Sequence, residues 1–249
     1  MSSRLVILAC MIAFSAGSSW GISINLLTSY SLWNTGWTSG PVYGTNDAQD
    51  AHYTWTRWTD STRTSVLSTG HAYIINDTQF PFPFWRPNET NIAAWVSTAG
   101  GPPHINQEAW YSFYTSFTLP NSAPAWDVNL NVSVWADNQP QEIGLYYGST
   151  LVTSAVPPQE PSSPPTAFTP SYSGGPTTLT AFSLMPGTYT IRFDVYNEPG
   201  TQFNPTGLYV RFNTATALGV PEPSTYALLG TVGLALYLLR RRMAKATKA

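Results

Sequence analysis

The amino-acid sequence predicts an all-β fold, specifically an antiparallel β-sandwich. Apolar and polar side chains alternate in several segments, which puts one face of a strand in the core and the other in water. Strand-like segments also recur at a spacing of about 8–12 residues, separated by turn residues. No segment between residues 22 and 219 has the periodicity of an amphipathic helix. Together these three patterns are typical of a sandwich built from many short strands.

The clearest strand is residues 127–136, where Val128, Leu130, Val132 and Val134 alternate with Asp127, Asn129, Asn131 and Ser133. In residues 188–198 the same pattern predicts that Tyr189, Ile191, Phe193 and Val195 face inward, with Thr190, Arg192, Asp194 and Tyr196 outward. Further strands are predicted at residues 22–33, 52–58, 72–75, 91–97, 110–119, 142–147, 181–184 and 208–213. Residues 153–178 are rich in proline, serine and glycine and are predicted to be one long surface loop.

Composition restricts the class of protein. Of the 249 residues 10% are charged and 14% are aromatic, and the net charge is −2. This balance gives no electrostatic basis for binding nucleic acid, which requires a basic surface. So many aromatic side chains can bury enough apolar area for an ordered core, which argues against disorder.

The first 21 residues are predicted to be a signal peptide. Arg4 supplies the positive charge, residues 5–14 form the apolar segment, and small side chains follow from Ala16. Cleavage after Ser18 or after Gly21 fits the pattern. The single cysteine, Cys10, would be removed with this peptide, so we expect no disulfide and no thiolate metal site. The remaining body, residues 22–219, has the length of one all-β domain.

Three features follow one another in residues 220–249. Pro221, Glu222 and Pro223 come first, and the two prolines favour an extended backbone at this point. An apolar run over residues 226–239 follows, which as a helix would be about 21 Å long. Arg240, Arg241 and Arg242 end the run and predict a basic, cytoplasmic anchor after a transmembrane helix.

This order of motif, apolar helix and arginine cluster resembles the PEP-CTERM sorting signal of Gram-negative bacteria. The resemblance implies that an exosortase recognises Pro221, Glu222 and Pro223 and processes the exported protein there. It also implies a membrane-anchored precursor, a mature protein at the cell surface or in the extracellular matrix, and an association with exopolysaccharide and biofilm. The alternative is an ordinary single-pass tail anchor.

The body resembles, more weakly, the galactose-binding-like jelly-roll sandwich. The resemblance covers about residues 110–212 and includes the Ala136-Asp137-Asn138 turn. Two departures are Tyr147, which stands where that family has asparagine, and the long proline-rich loop. The family includes lectin-like modules, accessory domains of enzymes and structural domains, so the resemblance does not by itself select one role.

Exposed aromatic rings beside polar groups are the usual means of binding sugars. Trp135 and Tyr196 have the outward parity on their strands, which makes them candidate ligand-binding residues, together with Asp137, Asn138 and Asn197. The alternative is that residues 33–58 or 80–85 cover that face, which would make Trp135 part of a core.

Catalytic and metal-binding patterns are weak. His52, His71 and His104 lack metal-ligand spacing, and no nucleophile elbow, phosphate loop or calcium loop is present. Acidic side chains that could pair as in a glycoside hydrolase are Asp127, Asp137, Glu142, Asp194 and Glu198. We therefore expect a non-catalytic structural or adhesive protein without cofactor or metal. A carbohydrate-binding module is the alternative, and a glycoside hydrolase is less favoured.

Overall fold

The computed structural model describes residues 22–27, 29–38, 44–75, 85, 87–100, 108–158, 172–199, 205–221 and 223–246. In these residues the chain forms eleven β-strands and one α-helix. The strands are β1 Ser23–Asn25, β2 Gln49–Trp58, β3 Val66–Ile75, β4 Trp95–Ser97, β5 Ala109–Leu119, β6 Ala125–Asp137, β7 Gln139–Tyr147, β8 Thr150–Ala155, β9 Tyr172–Leu184, β10 Gly187–Asn197 and β11 Gly207–Val220. The helix, α1, is Pro223–Ala246.

The strands form two layers, and each pairing between them is antiparallel. One layer has the order β8-β7-β10-β5-β2-β3, and the other has the order β4-β11-β6-β9 with β1 alongside β11. The pairing of β3 with β4, where Tyr73 lies opposite Ser97, joins the layers at one side. The predicted all-β antiparallel sandwich is therefore confirmed. The finer assignment to a galactose-binding-like jelly roll stays a prediction.

The core lies between the layers because each layer turns its alternate apolar side chains toward the other. On β6, Val128, Leu130, Val132 and Val134 are buried, as their alternation predicts. The β10 side chains that were expected to face inward are buried in the same cluster, as are residues of β5 and β11: Tyr189, Ile191, Phe193, Val195, Phe113, Phe117, Leu208, Val210 and Phe212.

A second, smaller core lies on the other face of the layer that contains β6 and β11. It consists of Ile75, Trp85, Ala93, Trp95 and Tyr209, with Ile92 and Trp135 partly buried against it. Its rings contact one another in sequence: Trp85 to Trp95 at 4.4 Å and Trp95 to Tyr209 at 5.8 Å between ring centroids. This face of the sheet is therefore covered by a segment of the same chain.

Several strands differ from the prediction. Both ends of the predicted loop 153–178 are strands in the structure. Its first residues, up to Ala155, belong to β8, and its last residues, from Tyr172, belong to β9. Pro176, opposite Ser133, is tolerated in β9 because this strand lies at the edge of the sheet, where a missing N–H breaks no second ladder. β11 also continues seven residues beyond the predicted end at Asn213, up to Val220.

The C-terminal helix α1 forms where the sequence predicts a transmembrane helix. Within the described residues, however, no helix is both long and apolar enough to cross a membrane. The predicted signal peptide, residues 1–21, and the centre of the proline-rich loop, residues 159–171, lie outside the described residues.

Candidate functional site

Trp135 lies against the second core. It is half-buried on β6 opposite Tyr209 of β11, and the two rings meet edge to face with centroids 5.4 Å apart. Trp85, from the segment before β4, is buried in the same core. The alternative in which residues 80–85 cover this face thus describes the position of Trp135 in part, because Trp85 lies in the same core while Trp135 is only half-buried.

Asp137 ends β6 and is buried, with 1% of its surface exposed. Its Oδ2 accepts a hydrogen bond of 2.7 Å from the indole Nε1 of Trp85, and its Oδ1 has no hydrogen-bond partner among the described residues. Burial raises the pKa of this carboxyl well above its usual range, and the nearby Glu198 carboxylate raises it further, while the Trp85 hydrogen bond lowers it. Asp137 is therefore a buried carboxyl group that holds its proton more tightly than an exposed aspartate does.

Asn138 and Asn197 lie at the same end of the sandwich. The Oδ1 atom of Asn138 accepts a hydrogen bond of 2.8 Å from the backbone N–H of Glu198, and Thr206 Oγ1 donates to the Asp137 carbonyl at 3.3 Å. Asn197 is fully buried at the end of β10. The structure thus brings Asp137, Asn138 and Asn197 together, and their contact with a ligand stays a prediction.

Tyr196 lies on the outer face of the other layer, away from Trp135. In register, Trp58 of β2, Trp110 of β5 and Tyr196 of β10 stand opposite one another on three neighbouring strands. The Trp110 and Tyr196 ring centroids are 4.9 Å apart, and the Tyr196 hydroxyl donates to Glu108 at 3.0 Å. We call Trp58, Trp110 and Tyr196 the aromatic row. All three side chains are half-buried, so each retains accessible surface.

A charged cluster lies next to the aromatic row on the same face. Asp194 of β10 is buried and accepts a hydrogen bond of 2.5 Å from Ser112 Oγ, which itself accepts one of 2.9 Å from the indole N–H of Trp58. The other carboxylate oxygen, Oδ2, accepts a hydrogen bond of 3.1 Å from Arg192 Nε, and it forms ion pairs with Arg192 Nη2 at 3.0 Å and with Arg63 at 3.4 Å.

Glu142 of β7 completes this cluster. Its Oε2 lies 3.5 Å from Arg63 and 3.8 Å from Arg192, so two carboxylates share two guanidinium groups. Burial raises the pKa of Asp194, and the hydrogen bond from Ser112 and the two arginines oppose that rise. The arginines also cover rings: Arg63 lies 5.7 Å from the Trp110 centroid and Arg192 lies 4.6 Å from that of Tyr146.

Sequence reasoning identified Tyr196 and the outward parity of Arg192 and Asp194, but it missed Trp58, Trp110 and Arg63 as their neighbours. The parity of β5 could have placed Trp110 on the outer face, because the buried Tyr111 and Phe113 define the inner face. Arg63 gave no such signal. It lies in the turn between β2 and β3, and only the fold carries that turn over the sheet.

The described histidines show no metal centre. The His52 ring stacks on Trp33 with centroids 4.2 Å apart, and His71 is exposed on β3. His104 lies outside the described residues. Throughout the described part of the chain, no three His, Cys, Asp or Glu side chains are grouped so as to hold a metal ion.

At the C-terminal end, β11 leads directly into the predicted sorting residues. Val220, the last residue of β11, lies opposite Ala125 of β6, and helix α1 begins at Pro223. Proline suits the first helical position, because the N–H that it lacks would have no partner within the helix. Pro221 is half-buried between the two elements, and Glu222 lies outside the described residues. Pro221 thus follows a strand directly and Pro223 begins a helix, whereas the sequence predicts that both belong to an extended peptide.

Residues 219–242 match the family model of the PEP-CTERM protein-sorting motif. The chain carries a PEP-CTERM sorting motif. Among solved structures, the CBM36-1 domain of a multidomain xylanase from the hindgut metagenome of Trinervitermes trinervoides is similar at 13% sequence identity and a TM-score of 0.25. That similarity covers 68% of this chain and 98% of the other. No curated protein matches the sequence.

Within the PEP-CTERM segment, Arg240 and Arg241 are exposed on α1, and the side chain of Arg242 lies outside the described residues. The segment begins beside the other end of the body. Ser23 of β1 lies opposite Leu218 of β11, and the N–H of Gly219 donates to the carbonyl of Ile22 at 2.8 Å. Ile22, which follows the predicted signal peptide, and Gly219, where the PEP-CTERM match begins, are therefore neighbours in the fold.

Proposed function

We propose that this chain is an exported surface protein that an exosortase processes through Pro221, Glu222 and Pro223. The observation that carries the proposal is the PEP-CTERM match over residues 219–242, at the point where the last strand of the sandwich ends. Processing there would leave all eleven strands on the mature protein. The product would be a β-sandwich at the cell surface or in the extracellular matrix of a Gram-negative-type bacterium.

The sandwich itself has a non-catalytic, structural or adhesive role in an exopolysaccharide or biofilm matrix. The acidic pair that comes closest to a glycosidase arrangement, Glu142 and Asp194, is held by Arg63 and Arg192. Both carboxylates are thus occupied by guanidinium groups, whereas a glycosidase needs one carboxyl group as acid and a second as base or nucleophile at the substrate. Turnover of a panel of glycosides that disappears in a Glu142→Gln variant would contradict this role.

The sorting function is tested by the intact mass of the protein from the cell envelope and from the medium. We expect a mass that ends within residues 221–223, without Arg240 to Ala249. A mass that retains these residues would overturn exosortase processing and favour a tail anchor. In a Pro221→Ala, Pro223→Ala double variant we expect the unprocessed mass, since the motif residues would no longer be recognised.

A second candidate function, carbohydrate binding, is favoured by the aromatic row beside the charged cluster. Flat rings and hydrogen-bonding groups on one face are what sugar recognition requires. The sequence-predicted residues Trp135, Asp137, Asn138, Tyr196 and Asn197 divide between two faces and one end of the sandwich. Polysaccharide pull-down with Trp135→Ala and Tyr196→Ala variants distinguishes between the faces.

A further inference from the structure

We propose that the aromatic row Trp58, Trp110 and Tyr196 is the binding platform for a neutral polysaccharide, and that Arg63 occupies the central ring until the polysaccharide displaces it. The proposal rests on the carbohydrate-binding function proposed above and assigns it a site and a ligand class. The site lies on the outer face of the layer that contains β2, β5 and β10. Trp135 lies on the outer face of the other layer, which contains β6 and β11.

The geometry of the row suits a chain of sugars. Neighbouring strands lie about 4.8 Å apart, so three rings on three strands extend over about 10 Å across the sheet. Because antiparallel register places Trp58 and Tyr196 on either side of Trp110, the rings form a line perpendicular to the strands. A polymer lying along this line would contact successive rings with successive sugar units, which a single aromatic residue could not provide.

A second line of polar side chains runs parallel to the aromatic row, two residues away from it along each strand. They are Thr56 of β2, Ser112 of β5 and Asp194 of β10. The indole N–H of Trp58 bonds to Ser112, which fixes the ring at one end of the row. Because Ser112 and Asp194 are buried, sugar rings that stack on the aromatic row would present their hydroxyl groups to Thr56 and to the Arg63 and Arg192 guanidinium groups that pair with Asp194.

The charge of this face indicates the ligand class. Arg63 and Arg192 contribute two positive charges, and Glu142 and Asp194 contribute two negative charges that pair with them at 3.0–3.8 Å. Glu108, next to Tyr196, adds a further carboxylate. A face with no surplus positive charge gives an acidic polysaccharide no attraction, while stacking and hydrogen bonding serve an uncharged one. The ligand is therefore a neutral polysaccharide.

Arg63 determines access to the middle of the row. Its guanidinium lies 5.7 Å from the Trp110 centroid, and its backbone has a φ of +54°, a conformation that side-chain-bearing residues rarely adopt. The turn that holds it is exposed, with Asp60 accepting hydrogen bonds from the N–H and hydroxyl of Thr62. Arg63 leaves the ring when a sugar stacks there, and Arg192 remains to pair with Asp194.

The test measures binding of the full chain to immobilised glucomannan, a neutral probe, and to alginate, an acidic one, at about 50 and about 500 mM NaCl. We expect binding to glucomannan that changes less than about twofold between the two salt concentrations, because no net charge drives it. We expect no binding to alginate. Binding to alginate that weakens with salt would overturn the neutral ligand class.

Variants separate the site from the fold. Trp110→Ala is expected to weaken glucomannan binding about tenfold or more, and Trp110→Phe to retain most of it, because a ring remains for stacking. Arg63→Gln, in the turn above the sheet, is expected to tighten binding severalfold by uncovering Trp110. Circular dichroism melting shows whether each variant folds. Two results would contradict the arrangement proposed for the row. One is loss of binding in Trp110→Phe with an unchanged melting curve, and the other is weaker binding in Arg63→Gln.

The outcomes distinguish this proposal from the functions on which it builds. Glucomannan binding that is lost in Trp135→Ala and retained in Trp110→Ala would keep carbohydrate binding but overturn the platform. No binding to any polysaccharide would overturn both. The sorting function is judged separately by the intact mass of the mature protein.

Discussion

The indole N–H of Trp85 donates a hydrogen bond of 2.7 Å to the carboxyl group of Asp137, which lies 52 residues further along the chain. Both side chains are buried, and the Trp85 ring also packs against Trp95 with centroids 4.4 Å apart. A Cβ atom on Gly207 would clash with the Trp85 ring, so β11 needs a glycine where the ring packs against it. One tryptophan thus joins the segment before β4 to the ends of β6 and β11.

Asp137→Asn is expected to raise the free energy of unfolding at pH 7. Burial raises the pKa of Asp137 in the folded protein above its unfolded value of about 3.8, so folding takes up a proton between these two pKa values. The stability contributed by this group is therefore present below pH 4 and lost as the pH rises through that window. Urea unfolding at pH 4 and pH 7 checks this, and the variant should reduce the difference between the two.

Asp60→Asn is the matched control for that experiment, because the pKa of Asp60 is shifted in the opposite direction. Hydrogen bonds from Thr62 and Thr59 lower the pKa of this exposed carboxyl, so its contribution is present above the unfolded pKa and is lost on acidification. We expect Asp60→Asn to give no gain in stability at pH 7. An equal gain in both variants would mean that net charge, rather than burial of Asp137, controls the pH dependence.

Trp85→Phe is expected to lower the free energy of unfolding by about 1–3 kcal/mol more than Trp37→Phe. The two substitutions remove the same atoms from buried tryptophans. The first leaves the Asp137 carboxyl without its donor, while the indole N–H of Trp37 has no hydrogen-bond partner among the described residues. Chemical denaturation of both variants at pH 7 gives the comparison, and equal losses would show that ring volume alone matters.

The buried faces of β6 and β10 could be predicted from the sequence, because the alternation of apolar and polar residues reports which side of a strand is buried. Val128 and Phe193, for example, lie where their parity puts them. Residue types that usually end a strand misled the prediction for β9. Gly174 and Pro176 are accommodated there since β9 pairs with β6 at the edge of the sheet.

The candidate site was less predictable, because its parts come from distant segments. Tyr196 could be placed on an outer face by parity, but its neighbour Trp110 depends on the pairing of β5 with β10. Aspartate is a residue type that is common in turns, so there was no reason in the sequence to expect Asp137 in a core. Its burial depends on Trp85, which no local sequence pattern connects to it. Arg63 joins the site only because a turn folds back over the sheet.

Arg192→Met is expected to destabilise the protein by up to about 3 kcal/mol, the lower end of the usual cost of removing a partner from a buried carboxylate, because Arg63 and Ser112 still contact Asp194. Arg192 makes the shorter contacts to Asp194, at 3.0 and 3.1 Å, while Arg63 lies 3.4 Å away. Arg63→Met should therefore cost clearly less, since Arg192 still pairs with Asp194. Thermal and urea unfolding of both variants measure the difference, and a larger loss in Arg63→Met would show that the turn, and not β10, holds the buried charge.

Inserting Gly-Ser-Gly between Val220 and Pro221 is expected to accelerate processing at the PEP-CTERM motif severalfold. In the native chain β11 is paired up to Val220 and α1 begins at Pro223, so an enzyme that reads an extended peptide must first open one of these elements. The pairing of Ser23 with Leu218, and the hydrogen bond from Gly219 to Ile22, strengthen the end of β11 against such opening. A flexible linker removes the need for it. Pulse-chase labelling measures the ratio of precursor to mature protein, with the same insertion between Asn121 and Ser122, in the turn before β6, as the control. An unchanged rate would mean that access to the motif does not limit processing, and an equal acceleration in the control would attribute the effect to a loosened sandwich.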